Sequence, residues 1–223
     1  MPISMTQRDT LRALFDAHPM LRARELRAAG VAPETIARAV DQGDIDRIAR
    51  GLYQLHDAPI DTDQGLAEIA KRIPKGVIAM VSALAFHGLT DQMPRRAWVA
   101  IGTSDWTPAL DYPPVRIVRL ADKYLRQGIE HHKVAGVDVP VYSVPKTLAD
   151  LFRNPRLVDR SVAVEGLRAA LDQRKASPGA IAEAAVAGGA WKRMQPYLEA
   201  LTSGGRCGCD LVGPSCDRLR ARR

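Results

Sequence analysis

The stretch QGDIDRIARGLYQL, residues 42–55, sets cationic side chains where they can meet an anion. Arg47 interrupts an apolar, β-branched run, and Arg50 directly precedes Gly51, a residue able to take the positive φ of a tight hairpin turn. Just upstream, VAPETIARAVDQG puts Ile36 and Val40 one helical turn apart, which turns Thr35, Arg38 and Gln42 toward the opposite side. Guanidinium, amide and hydroxyl groups so placed can donate to phosphate oxygens and to base edges. Arg22 and Arg24, a little earlier, suit backbone phosphates, and Tyr53 lies in the second half of the hairpin. The chemistry is recognition of a polyanion.

Four short elements must position these groups. TQRDTLRALFDAHPM spaces Leu11, Leu14 and Phe15 as one helical face and ends near His18 and Pro19. LRARELRAAG predicts a brief second helix with Leu21 and Leu26 inward and Gly30 as its stop. The third, Pro33 to Gln42, has proline in its first turn, Glu34 near the positive end of the helix dipole and Gly43 as terminator. The hairpin follows, with Leu52, Tyr53 and Leu55 expected to anchor it to the helices. Three helices and a hairpin are the order of a winged helix-turn-helix, in which the second helix of the motif enters the major groove. On that reading Arg38 is the main base or phosphate contact, and Thr35 and Gln42 flank it. Arg47 and Arg50 reach the backbone or adjacent minor groove from the wing.

HDAPIDTD is short, polar and contains proline, so the first domain is expected to span residues 1–57. Beyond it, helical patterns (TDQGLAEIAKRI, VSALAFHGL) alternate with strand-like runs (AWVAIG, VRIVRL, IEHHKV, VDVPVYSV). Further helices follow in PKTLADLF, VAVEGLRAAL and SPGAIAEAAV. The fold class is therefore α+β: a winged helix-turn-helix domain, then a mixed α/β domain over residues 58–202. Residues 203–223 lose all periodicity and read as a flexible tail.

The net charge is +7, which favours an anionic partner. Residues 1–57 contribute nothing to it, since eight Arg or Lys meet eight Asp or Glu, and Asp44 and Asp46 flank the hairpin. Such a domain is no uniformly basic module, and winged helices also serve as protein-interaction modules. Placement of the arginines favours DNA. In the second domain Arg95, Arg96, Arg116, Arg119, Lys123 and Arg126 could extend a positive track, although the odd spacing of Arg116 and Arg119 sends them to opposite faces of a regular strand.

Enzyme chemistry finds little support. No Gly-rich phosphate loop, G-x-S-x-G elbow or His-Glu-x-x-His helix is present, and EHHK has one residue too many for a Glu-x-Lys nuclease pattern. His131 and His132, adjacent on a strand, face opposite sides and cannot share a metal without a bulge. His87, beside its glycine terminator, reads as a helix-end histidine that satisfies a carbonyl, and Trp98 and Trp106 as core or interface residues. Cys207, Cys209 and Cys216 form neither a disulfide framework nor a paired Cys-x-x-Cys site. No catalytic residue, metal or cofactor is expected. With no signal peptide and no apolar run near the roughly 20 residues that span a bilayer, the expectation is a cytoplasmic protein without membrane contact.

Three pieces taken in order carry a resemblance: TIARAVDQGDIDRIARGLYQL, then VSALAFHGLTDQMPRRAWVAIG, then VPVYSVPKTLADLFRNPRLVDRSVAVEGLRAAL. Together they resemble the AbiEi-type antitoxins of bacterial type IV toxin–antitoxin systems, from about Thr6 to Leu201 by element order. The resemblance implies a winged-helix domain that binds inverted repeats of operator DNA and represses its own operon. It also implies a second domain that counteracts a nucleotidyltransferase-like toxin encoded beside it, without requiring a direct complex. The DNA-binding role carries over to Thr35, Arg38, Arg47, Arg50 and Tyr53; the tail after Ser203 has no counterpart. The alternatives are a transcriptional regulator whose second domain senses a ligand or protein, and an enzyme with a winged-helix targeting domain acting through Asp122 or Asp150. Oligomeric state is not readable from the sequence.

Overall fold

The computed structural model describes residues 6–58, 63–107 and 112–203. Its first part runs α1 (Gln7–Ala17), β1 (Met20–Arg22), α2 (Ala23–Ala28), α3 (Pro33–Asp41), β2 (Ile45–Ala49) and β3 (Leu52–Leu55). Thr6 begins α1 with a reciprocal cap: its hydroxyl accepts from the Asp9 amide while the Asp9 carboxylate accepts from the Thr6 amide. Gly51 turns the β2–β3 hairpin at φ 69°. Leu21 does not begin a helix; Met20–Arg22 is a strand that pairs antiparallel with β3, and α2 starts only at Ala23. Pairing with β3 overrides the local helical preference, and the small sheet gains a third strand in the order β1-β3-β2.

The second part contains α4 (Gln64–Arg72), β4 (Val77–Ile78), α5 (Met80–Phe86), β5 (Ala97–Gly102), β6 (Val115–Leu120), α6 (Asp122–Leu125), β7 (Ile129–Val134), β8 (Val137–Tyr142), α7 (Val144–Arg153), α8 (Arg160–Asp172), α9 (Pro178–Ala187) and α10 (Trp191–Ser203). Its five strands order as β6-β5-β4-β8-β7, with parallel β5/β6 and β4/β8 pairs inside an otherwise antiparallel sheet. The sequence reading omitted β4, too short to show a period, and α6 and α10. Ala135 (φ 46°) and Gly136 (φ 71°) form the β7–β8 turn, both left-handed as a two-residue hairpin of this twist demands.

Alternation along the strands sends side chains into two layers. Trp98, Ala100, Val118, Leu120 and Tyr142 meet α5 and α7–α10, whereas Val99, Ile101, Val137, Val139 and Val141 meet α4. Into that second layer reach Met20 and Leu52 of the small sheet, both nearly inaccessible to solvent. The small sheet's other face packs on α1–α3 through Leu21, Leu26, Phe15, Ile36 and Ile45. Leu52 thus anchors the hairpin to the five-stranded sheet and not to the helices as expected, because neighbouring strand residues point to opposite sides; Tyr53 and Leu55 do face the helices.

Helix α7 is buried almost all round, and within it Lys146 and Asp150 form an ion pair at 2.7 Å that is sealed from solvent. Lys146 also lies over the Tyr142 ring at 5.0 Å, and the Tyr142 hydroxyl donates to the Leu125 carbonyl. At the end of α5, His87 Nε2 lies 2.8 Å from the Tyr142 carbonyl oxygen, the carbonyl-satisfying role read from the sequence. That contact requires the Nε2–H tautomer when the ring is neutral.

Asp150→Ala strands a buried ammonium and lowers stability by about 3–5 kcal/mol, while replacing Lys146 and Asp150 together with Met and Leu restores most of that loss in denaturant titrations. Burial is the main influence on His87 and holds its pKa below the ordinary value, against the pull of the Tyr142 carbonyl. The unfolded ring therefore takes up a proton near pH 6.5 while the folded ring stays neutral. Stability present above that pH is lost as pH falls toward the folded pKa, and His87→Gln flattens this part of the profile in thermal melts.

Candidate nucleic-acid interface

Helix α3 buries Ile36 and Ala39 and leaves Pro33, Glu34, Ala37, Arg38, Asp41 and the following Gln42 exposed, so it stands as a ridge on the surface. Its N-terminus is fastened from outside: Gln7 Oε1 accepts from the Ala32 amide at 3.1 Å and from the Thr35 hydroxyl at 2.8 Å. Thr35 is therefore half-buried against α1, with its proton already committed. The side chains of Arg38 and Gln42 have no hydrogen-bond or ionic partner among the described residues and keep their donors available.

Hollows flank the ridge on both sides. One, of about 440 Å³, lies between α3 and the hairpin and is lined by Arg27, Ala37, Asp41, Arg47 and Tyr53 among others. Arg47 and Tyr53 are directly paired across the hairpin, so their side chains share that side. The other hollow, about 180 Å³, is lined by Arg8, Thr35, Arg38, Gln42 and Asp44 among others. Arg27 and Arg8 were missed in the sequence because neither belongs to α3 or the hairpin; only the packing of α1 and α2 brings them alongside.

The hairpin turn is docked as well. The Ala23 amide donates to the Gly51 carbonyl at 2.8 Å, which joins the turn to the start of α2. Arg24 and Arg50, each adjacent in sequence to one member of that pair, are both exposed, and their side chains are unpartnered among the described residues. Arg22 differs from them. Its Nη1 donates to the Lys71 carbonyl at 3.1 Å, and its amide donates to Glu25, which itself pairs with Lys71 at 3.2 Å. The guanidinium thus ties the small sheet to α4, and burial lowers its pKa from the ordinary arginine value.

The acidic residues near the hairpin are largely taken up. Asp44 pairs with Arg8 at 2.8 Å and Asp46 with His56 at 3.1 Å, so the carboxylates that balance the charge of this segment are not all bare. Exposed pairs of this kind add little stability. Their effect is on which charges face outward.

The basic residues of the second part do not form one track. Arg116 stacks over Trp98, 4.0 Å from the ring centre, whereas Arg119 donates to the carbonyls of Gly102, Thr103 and Asp105 and to the Thr107 hydroxyl. Arg119 thereby fastens the turn after β5, and the two arginines occupy opposite faces as their spacing implied. Trp98 is buried and Trp106 largely exposed. His131 pairs with Asp138, while His132 packs edge-on against Phe86. Among the described residues no group of three or more His, Cys, Asp or Glu is arranged to hold a metal ion, and no helix is long and apolar enough to cross a membrane. The three cysteines, part of the linker and the basic C-terminal residues lie outside the described residues.

The contrast between Arg22 and Arg24 is measurable without any ligand. Arg22→Ala removes a partly buried hydrogen bond worth about 1 kcal/mol, a shift of roughly 2–4 °C in melting temperature. Arg24→Ala leaves the thermal melt essentially unchanged.

The fold as a whole is similar to the crystal structure of the RV2827C protein from Mycobacterium tuberculosis, with a TM-score of 0.51 over 87% of this chain and 81% of that one. Sequence identity is 16%, so the likeness is one of fold. No curated protein matches the chain. Residues 9–56, which carry α1 through the β2–β3 hairpin, match the family model described as "Transcriptional regulator, AbiEi antitoxin", and the resemblance read from the sequence stands over that segment.

Proposed function

We propose that α1 through β3 form a winged helix-turn-helix whose α3 enters the major groove, with the β2–β3 hairpin as the wing beside it. The observation that carries this reading is the ridge of α3, bordered by unpartnered Arg38 and Gln42 on one side and by Arg47 with Tyr53 on the other. A helix of this width fits a groove about 12 Å across, and cations on either side of it meet the phosphate walls. Arg24 and Arg50, at the docked end of the hairpin, lie where the backbone or adjacent minor groove continues. Thr35 acts by holding α3 against α1, and Arg22 by holding the small sheet on α4; both support the interface more than they touch DNA.

On this proposal the chain is a non-enzymatic regulator that represses its own operon. Residues 1–57 read the operator, and residues 58–202 counteract a nucleotidyltransferase-like toxin encoded nearby. The match of residues 9–56 to a family of transcriptional regulators and antitoxins supports the assignment. On the same proposal it acts in the cytoplasm and needs no cofactor.

Binding of the purified chain to the DNA upstream of its own gene, followed by gel shift and footprinting at two salt concentrations, tests the reading. The wild type protects a repeated sequence in preference to an unrelated duplex. Arg38→Ala and Arg50→Ala each weaken binding and reduce the slope of log K against log salt by about 0.9 for every phosphate that is no longer neutralised. Unchanged isotherms for both variants would remove these residues from the interface. Co-expression with the neighbouring toxin separates the second role, because a variant can lose repression and still rescue growth.

A further inference from the structure

The most outward positions of α3 are not basic. With Ile36 and Ala39 buried, the opposite side of the helix carries Glu34 and Asp41, and between them Ala37 and Arg38. Glu34 sits exposed in the first turn, and no described residue donates to its carboxylate. Asp44 has Arg8, Asp46 has His56, Glu25 has Lys71 and Asp9 caps α1, whereas Asp41 shares the outer side and the lack of a partner but stands in the last turn of α3, away from the first-turn positions that lie nearest the base edges. A bare carboxylate at the crest of a helix that meets DNA repels every phosphate it approaches. Only exocyclic amino groups of bases give it hydrogen-bond donors in the major groove, namely cytosine N4 and adenine N6.

We infer that Glu34 is a specificity-determining residue that accepts a hydrogen bond from such an amino group. This inference rests on the proposed docking of α3. The first-turn residues of a reading helix are those nearest the base edges, which is where Glu34 stands. Beside it Ala37 offers only a methyl group, suited to a thymine methyl, and Arg38 offers a donor fork suited to guanine. The crest therefore presents an acceptor, an apolar contact and a donor. The rival role for Glu34, a negative charge that stabilises the helix dipole, involves no base and acts equally on every DNA sequence.

The full-length wild type, Glu34→Met and Glu34→Ala are compared by selection from a duplex library with a randomised core of about 20 base pairs, then by titration of the selected and a scrambled duplex at two salt concentrations. The wild type selects a site containing one position restricted to cytosine or adenine on the strand facing Glu34. Both variants lose preference at that position by about tenfold or more, a typical effect of one base contact, and keep preference elsewhere. They bind the scrambled duplex as tightly as the wild type or more so. Which base is lost at the position identifies N4 or N6 as the donor.

An unchanged base preference, or an equal rise in affinity for the selected and scrambled duplexes, overturns the assignment of Glu34 while leaving DNA binding intact. Glu34→Met keeps the side chain's length and helix propensity but carries no acceptor oxygen, so it decides the matter even where Glu34→Ala melts at lower temperature. A wild type that selects no sequence at either salt concentration overturns the DNA reading itself and this inference with it.

Discussion

Strand β3 is the constraint on which the arrangement depends. It is the central strand of the small sheet, and its residues are divided between two interiors: Leu52 faces α4 and the five-stranded sheet, Tyr53 and Leu55 face α1–α3. Met20 and Leu21 on β1 divide in the same way. Because a strand presents alternate faces, the hairpin cannot turn relative to either layer without exchanging apolar for polar contacts along its length. The ridge of α3 inherits this fixity through Ile36 and Ile45, which share its core.

Polar contacts reinforce the same junction. Arg22, Glu25 and Lys71 join β1 and α2 to α4, and Gln54 accepts from Gln64 at 2.8 Å. Pro19 packs where a Cβ on Gly136 would stand, at 2.5 Å, so the β7–β8 turn fits against the start of β1 only because that residue is glycine. These contacts put the orientation of the α3 ridge under the control of residues far from it in sequence.

Much of this was readable from the sequence. Helical spacing located α1, α3, α4 and α7–α9, the glycine-bearing turn located the β2–β3 hairpin, and the spacing of Arg116 and Arg119 gave their opposite faces. Local pattern alone could not give β1, whose three residues acquire strand geometry only by pairing with β3 some thirty residues later. It could not separate Arg22 from Arg24 either, since the difference lies in a carbonyl of α4. The same limit applies to Glu34: its position near a helix N-terminus suggested a dipole role, and only the burial of Ile36 and Ala39, which turns this first-turn residue outward, singles it out.

The two-sided burial of β3 also bears on how such a chain can be rearranged. Cutting it near residue 57 would lay bare Met20, Leu52, Ile48 and Ala49, an oily strip on the back of the small sheet. The N-terminal segment is thus not an interchangeable cassette. Grafting it onto a different partner would require that partner to supply an apolar counterpart to α4 and β8, and recombination that preserves the seam has a structural advantage over recombination at the linker.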